Sequence, residues 1–182
     1  MLQLNNNLRF CPQCGAQGFS QRCEKSLVCS ECGFTYFHNV AATVTGFIFY
    51  QDKLLLVKRG QQPCLGMLDL PGGFVDPNES NEQALIRELQ EELQLRVDSL
   101  QYMFSFPNHY CYKEVSYPTL DSFFMIKLDA LPELTIQQAE LSGYCWLEPS
   151  EIDPEALAFD SHKKALATCI YPKSLELHGG GK

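Results

Sequence analysis

The sequence predicts an α/β protein in which a mixed sheet lies between helices, with a small metal-binding ribbon in front of it. Three observations support this prediction. Four cysteines occur as two C-x2-C pairs within the first 38 residues. Short β-type runs lie on both sides of one amphipathic helix, and a second helical pattern follows at about residues 161–170. Strands before and after a central helix are typical of a three-layer α/β/α arrangement.

The composition limits the class of protein. At 182 residues there is room for one ordinary domain and a small appendage. The net charge of −8 argues against sequence-independent binding to nucleic acid. No apolar run approaches the roughly 20 residues of a membrane helix, and the first residues lack a signal-peptide pattern. We therefore expect a cytoplasmic protein that does not enter the membrane.

The early cysteines follow the pattern C-x2-C-x14-C-x2-C, and a glycine comes directly after each pair. This spacing is close to that of zinc ribbons, in which four thiolates hold one structural Zn2+. A secreted disulfide framework is the alternative, and the missing signal peptide and the five further cysteines disfavour it. The predicted zinc ligands are Cys11, Cys14, Cys29 and Cys32.

The ribbon is predicted to occupy residues 1–38 and to need its metal, because so short a segment cannot bury a sufficient core. A second domain is predicted at 39–172, followed by a disordered tail at 173–182. Runs of apolar and β-branched residues between turn residues predict its strands. With one aromatic strand ending the ribbon, the predicted strands are 34–38, 43–50, 53–58, 97–106, 122–128 and 143–147. The tyrosine-rich segment 107–121 is predicted to be irregular.

The central helix is predicted to begin just after Ser80, because Ser80 and Gln83 have the spacing of a capping box. One face carries the apolar side chains, and the other carries three glutamates at i, i+3 and i+4. Like charges at this spacing cost a few tenths of a kcal/mol per pair, roughly, unless a cation compensates them. A solvated acidic face is the alternative. The apolar stripe comprises Leu85, Ile86, Leu89 and Leu93, and the acidic face Glu88, Glu91 and Glu92.

The segment from Gly73 to Leu95 resembles the Nudix box, G-x5-E-x7-R-E-U-x-E-E-x-G-U with U apolar. One position departs from the pattern, since Gln94 stands where the family has its second glycine, so we expect altered helix termination rather than lost activity. The resemblance implies an α/β/α sandwich and a site for Mg2+ or Mn2+. We expect Arg87 to orient the ligands by pairing with Glu79 or Glu91. The predicted ligands are Glu88, Glu91 and Glu92, assisted by Glu79 and the Gly73 carbonyl.

Beyond the box, residues 10 to 170 resemble the NADH pyrophosphatase branch of the Nudix hydrolases, which also has a four-cysteine ribbon. The branch motif S-Q-P-W-P-F-P-x-S corresponds to the segment that starts at Ser105, where Asn108 replaces the tryptophan. The predicted substrate contacts are Ser105, Pro107 and Tyr110. For Tyr110, ordinary side-chain packing is an equal alternative to substrate contact. Lys58, with Arg59 beside it, is expected to contact phosphate or to be surface charge.

The resemblance also implies a further glutamate shortly before a tryptophan strand. Glu140, six residues before Trp146, is the candidate distant ligand or general base. Glu133 and the box glutamates remain alternatives for the base. The expected catalytic set is therefore Arg87, Glu88, Glu91, Glu92 and Glu140.

These features predict a pyrophosphohydrolase that cleaves a nucleoside diphosphate linked to another moiety, of the NAD(H) or ADP-ribose class, and releases a nucleoside monophosphate. The alternatives are a nucleoside-triphosphate house-cleaning enzyme and a non-catalytic nucleotide sensor that uses the ribbon to bind a partner. The complete set of box acids favours catalysis. For the ribbon we favour a structural role or a homodimer contact over nucleic-acid binding.

Overall fold

The computed structural model describes residues 8–113 and 115–170, so the predicted tail at 173–182 lies outside the described residues. The chain forms two compact units. The first comprises Met1–Ala41 with His109–Pro118, and the second comprises Ala42–Asn108 with Thr119–Lys182. The predicted boundary after residue 38 stays a prediction. Within the described ranges, neither helix has the length and apolar character needed to span a bilayer.

The first unit is built on a three-stranded antiparallel sheet in the order β1-β2-β3. Its strands are β1 (Phe19–Cys23), β2 (Ser26–Cys29) and β3 (Thr35–Phe37). The predicted strand at 34–38 is confirmed as β3. Leu27 is the buried aliphatic side chain of this sheet, at 1% exposure, so apolar burial alone gives the unit little stability.

The second unit contains a larger sheet with strand order β10-β5-β4-β9-β8, in which β6 pairs with β5 and β7 pairs with β4. Thr43 bonds to Asp121, and Gly46 lies against Ile126, so β4 and β9 run parallel whereas β4 and β5 are antiparallel. The sheet is therefore mixed, as predicted. The strands are β4 (Ala41–Tyr50), β5 (Lys53–Arg59), β6 (Leu68–Asp69), β7 (Gly72–Phe74), β8 (Gln101–Tyr112), β9 (Val115–Leu128) and β10 (Leu141–Leu147).

Two helices cover the two faces of this sheet: α1 (Asn81–Leu93) and α2 (Asp160–Ile170). The side chains of β5 enter the two cores alternately, because successive side chains of a strand point to opposite faces of the sheet. Leu55 packs with α1, whereas Leu54 and Leu56 pack with Leu166 of α2. The predicted α/β/α arrangement is confirmed. Two short 3-10 helices, Pro149–Glu151 and Pro154–Ala156, precede α2.

Three details of the predicted elements are wrong. Residues 107–121 are not irregular, because β8 continues to Tyr112 and β9 begins at Val115. Tyrosine, valine and threonine in this segment favour strand, and pairing of two long neighbouring strands outweighs the local signals of the two prolines. Residues 97–100 precede the strand rather than start it. Ile86 is 42% exposed and lies outside the apolar stripe. Ala84 is buried in the stripe instead of Ile86.

The N-terminal end of α1 has the expected capping chemistry, whereas the altered helix termination expected from Gln94 is wrong. The Ser80 hydroxyl accepts a hydrogen bond from the Gln83 amide, and the Gln83 side chain accepts one from the Ser80 amide. Gln94 ends the helix in the left-handed conformation, with φ 54° and ψ 27°. Its N–H donates to the Gln90 carbonyl at 3.1 Å. The glutamine thus takes the backbone conformation that a glycine adopts without steric cost.

We expect Gln94→Gly to stabilise the protein by about 1 kcal/mol, since glycine removes the left-handed cost of a side chain. Urea denaturation would measure the change in the free energy of unfolding. Gln94→Ala is the matched control, because alanine retains that cost and also loses the side-chain contact to Gln90. A gain with alanine as large as with glycine would contradict this explanation.

Candidate functional site

The site begins at Gly72 and Gly73, the first two residues of β7, which pairs with β4. We call these two residues the glycine turn. Gly72 has φ +145°, and a side chain there would overlap the Val44 carbonyl. A side chain on Gly73 would overlap the carboxylate of Glu88. The two glycines therefore let this backbone approach the acidic face of α1, and the Gly72 amide donates to Glu92 Oε2 at 3.2 Å.

Two of the three glutamates on the acidic face of α1 are removed from water. Glu92 is 7% exposed, and the Glu88 side chain is 14% exposed. Burial is the main reason that the pKa of Glu92 is raised to about 8, and the nearby charges of Glu88, Asp69 and Glu140 raise it further. Burial also raises the pKa of Glu88, against the lowering effect of Arg87. This pair of buried carboxylates would be stabilised by a bound cation.

Arg87 joins the remaining acids of the box. Its guanidinium makes two hydrogen bonds to Glu79, of 2.7 and 3.1 Å, and this contact lowers the pKa of Glu79. It also donates to Glu88 at 3.0 Å and to Glu91 at 3.1 Å. A further bond to the Phe74 carbonyl, at 3.0 Å, ties the network to the glycine turn. Arg87 is thus placed to orient three glutamates at once, while Glu91 keeps 54% of its side chain exposed.

Glu140 lies at the same end of the second unit. Its charge contributes to the raised pKa of both Glu88 and Glu92. The preceding segment is bonded to the end of α1, with the Gln137 amide donating to the Glu92 carbonyl at 2.8 Å. Glu133 is exposed. The charge effects place Glu140 near the buried glutamates of the acidic face.

The predicted substrate contacts are distributed over both units. Lys58 is exposed at the end of β5. Ser105 and Pro107 lie on β8 in the second unit, whereas Tyr110 belongs to the first unit. Arg59, the expected alternative to Lys58, bonds to Asp69 at 2.6 Å and is therefore already paired.

The four predicted zinc ligands converge in the first unit, where their sulfur atoms all lie within 4.8 Å of one another. Gly15 and Gly33, with φ of 72° and 73°, allow the two tight turns that bring each cysteine pair together. Burial opposes ionisation of Cys11, but hydrogen bonds from backbone amides and neighbouring thiols lower its pKa to about 7. Tetrahedral S4 coordination suits Zn2+ or an iron site.

A surface cavity of about 720 Å³ lies elsewhere in the second unit. It is lined by residues from the far ends of β4 and β9, from the segment after β10 and from the last turn of α2, including Phe49, Met125, Glu148 and Cys169. None of the box residues lines it. This concavity is therefore separate from the acidic face.

Sequence reasoning missed a group of buried polar residues on the α2 side of the sheet. Asp69, Asp121 and His162 are each at most 5% exposed. They are far apart in the sequence and have no shared spacing, so no local pattern identified them. The aspartate directly before the Leu-Pro-Gly-Gly turn was the one available signal.

Comparison with known proteins identifies the matching family. Residues 40–169 match the NUDIX domain model. The NAD-capped RNA hydrolase NudC of Vibrio parahaemolyticus is 26% identical over 154 residues, which cover 84% of this chain and 56% of the relative. The enzyme of the same name from Pseudomonas fluorescens is 32% identical over 95 residues, which cover 52% and 34%. The chain thus spans about half or less of the length of these relatives.

Solved structures agree with the fold. The NUDIX domain of Shewanella oneidensis NrtR complexed with ADP ribose superimposes with a TM-score of 0.60 at 25% identity, covering 74% of this chain and 88% of that one. A NUDIX hydrolase from Nitrosomonas europaea gives a TM-score of 0.62 at 23% identity, covering 88% and 91%. The second comparison shows the fold alone.

We expect Glu92→Gln to stabilise the metal-free protein at alkaline pH by at least about 1 kcal/mol. The folded pKa of about 8 lies above the ordinary value of 4.5, so folding favours the protonated carboxyl. Below pH 4.5 both states are protonated and there is no penalty; the penalty grows as pH rises and is complete above pH 8. Thermal unfolding in a chelator, at pH 5 and pH 9, would measure the difference. An equal gain at both pH values would show that ionisation of the buried carboxyl is not the cause.

Proposed function

The chain belongs to the Nudix family, and from this premise we propose that it hydrolyses the pyrophosphate bond of a nucleoside diphosphate linked to another moiety, releasing a nucleoside monophosphate. NAD(H) and ADP-ribose are the leading substrates. The main observation that supports this function is the pair of buried carboxylates, Glu88 and Glu92, which pack against the Gly72–Gly73 turn. Buried like charges without a fixed cation are costly, so their retention supports a cation-dependent site.

Nudix enzymes generally use divalent metals, and Mg2+ or Mn2+ is our proposal for this chain. Carboxylate oxygens are the ligands that both hard ions prefer. Glu88, Glu91 and Glu92 would hold the ion, assisted by Glu79 and the Gly73 carbonyl. Such an ion neutralises phosphate oxygens and lowers the pKa of bound water.

The protein residues have separate tasks in this proposal. Arg87 keeps Glu79, Glu88 and Glu91 in fixed orientations through four short hydrogen bonds. The Glu140 carboxylate accepts the proton of the attacking water, because it stands near the buried pair without belonging to α1. Ser105 and Pro107 contact the substrate, and Lys58 contacts its phosphates.

The substrate class rests on the relatives and the branch motif. The curated relatives are named NAD-capped RNA hydrolases, and the NrtR domain was solved with ADP ribose. NAD and ADP ribose both contain a nucleoside diphosphate. Asn108 replaces the tryptophan of the branch motif, so the moiety beyond the diphosphate need not be nicotinamide riboside.

We propose that the cysteine cluster holds a structural Zn2+. Its four sulfur atoms have the number and the proximity of a closed tetrahedral site. The small buried core of the first unit supports a role for a stabilising metal. A closed site of this kind leaves no position for substrate, which separates it from the reaction.

A substrate panel tests the function. With Mn2+, we expect release of nucleoside monophosphate from NADH, ADP-ribose or NAD-capped RNA, and little from nucleoside triphosphates. Glu91→Gln should lower kcat at least about 100-fold, because it removes a ligand and a partner of Arg87. Chromatographic detection of the monophosphate would measure both.

Glu82→Gln is the matched control, since Glu82 lies in the first turn of the same helix and bonds to Ser80 instead of the acidic face. It should retain wild-type activity. Cleavage of triphosphates alone would support the house-cleaning alternative, and equal activity of Glu91→Gln and wild type would refute the catalytic assignment.

Cys29→Ser should lose zinc, because Cys29 is a buried member of the cluster. Elemental analysis of the purified protein would give the metal content. Cys23→Ser is the control, since this exposed thiol bonds to Ser26 outside the cluster, and it should retain one zinc per chain. Full zinc content in Cys29→Ser would place the metal elsewhere.

A further inference from the structure

The first turn of α2 presents two consecutive buried side chains, Ser161 and His162, to two different buried carboxylates. The Ser161 hydroxyl donates to Asp121 Oδ2 at 2.5 Å. His162 Nδ1 lies 2.7 Å from Asp69 Oδ1. Ser161 is 0% exposed and the other three residues are 3–5% exposed. One helical turn therefore touches two charged groups in the interior of the second unit.

Asp121 connects this turn to the strand that carries the predicted substrate contacts. Its carboxylate also accepts hydrogen bonds from Thr43, at 2.5 Å, and Thr119, at 2.7 Å. The fourth donor is Asn108 Nδ2, at 2.9 Å. Asn108 directly follows Pro107 on β8, so the contact fixes the end of the segment that begins at Ser105. The first connection thus runs from Ser161 through Asp121 to the substrate strand.

Asp69 connects the same turn to the glycine turn of the metal site. Its other oxygen binds Arg59 at 2.6 Å, and its first oxygen accepts the Leu70 amide at 2.9 Å. Three residues further on, the Gly72 amide donates to Glu92. The second connection thus runs from His162 through Asp69 to the backbone that meets the buried glutamates.

Neither carboxylate is explained by stability alone. Replacing buried ionic groups with well-packed apolar residues is often neutral or stabilising, so such groups are most useful where they specify one geometry. Here they join segments that are more than 30 residues from α2 in the sequence, and α2 is itself held by Ala165 and Leu166 in the core. A rigid helix is a suitable reference for two parts of one active site.

On the basis of the proposed function, we propose that Ser161 and His162 are positioning residues with separate tasks. Ser161 fixes the substrate strand through Asp121, and His162 fixes the glycine turn, and with it the metal ligands, through Asp69. The two tasks make different kinetic predictions, because one concerns substrate binding and the other concerns the geometry of the metal site.

The experiment compares Ser161→Ala with His162→Leu in the full chain. Ser161→Ala should raise KM for ADP-ribose about 10-fold and leave kcat unchanged. His162→Leu should lower kcat and weaken Mn2+ binding roughly 10-fold, as loss of a supporting contact does, with KM unchanged. Mn2+ binding would be measured by electron paramagnetic resonance of the free ion, which does not depend on turnover.

Two further variants test the roles of Ser161 and His162 if Ser161→Ala or His162→Leu does not fold. Asn108→Leu breaks the first connection at its other end and should reproduce the rise in KM. His162→Gln retains a polar group and should recover part of the Mn2+ affinity. Asp160→Asn is the control in the same turn, because its side chain is 82% exposed and 3.7 Å from Lys163; it should leave all three quantities unchanged.

The outcomes separate the two proposals. If wild type hydrolyses no nucleotide of the panel and binds no Mn2+, the proposed function fails. If wild type is active but the variants change only the free energy of unfolding, the residues are structural and the positioning proposal is wrong. A change of the same parameter in both Ser161→Ala and His162→Leu would also overturn it.

Discussion

Two glutamates of one helix are buried against a backbone turn, and this constraint determines much of the second unit. Glu88 and Glu92 lose most of their water without gaining a full complement of positive charge. Burial and the charge of Glu88 raise the pKa of Glu92, because two ionised carboxylates so placed would repel each other strongly in a medium of low dielectric constant. The glycines of the turn are necessary because any side chain there would collide with β4 or with Glu88. The capped, well-docked helix supplies the rigidity that holds the acids in place.

The two units are stabilised by different physical means. The second has a sheet with an apolar core on each face, which suffices for an ordinary domain. The first has a small sheet with few buried side chains, and the zinc proposed for its four convergent cysteines would supply further stability. The segment His109–Pro118 belongs to the first unit, whereas the other parts of β8 and β9 belong to the second.

Local features were predictable from the sequence, and non-local ones were not. The helix and its capping box follow from residues within four positions of one another, and the four-cysteine cluster follows from two short spacings. The left-handed end at Gln94 was not predicted, because a glutamine there carries no local signal for it. The short strands β1, β2, β6 and β7 lack a periodic signal, because strands of two to five residues are defined by their pairing partners. Asp121 and His162 escaped notice since their partners are distant in the chain.

The position of Arg87 has a consequence for how the site would be loaded. Its guanidinium already stands among the oxygens of Glu79, Glu88 and Glu91, so it serves as an internal counter-ion. At the proposed metal site, an incoming divalent ion would compete with this covalently attached cation for carboxylate oxygens. The guanidinium would keep its bonds to the oxygens that the ion does not take, and it would return to the others when the ion leaves.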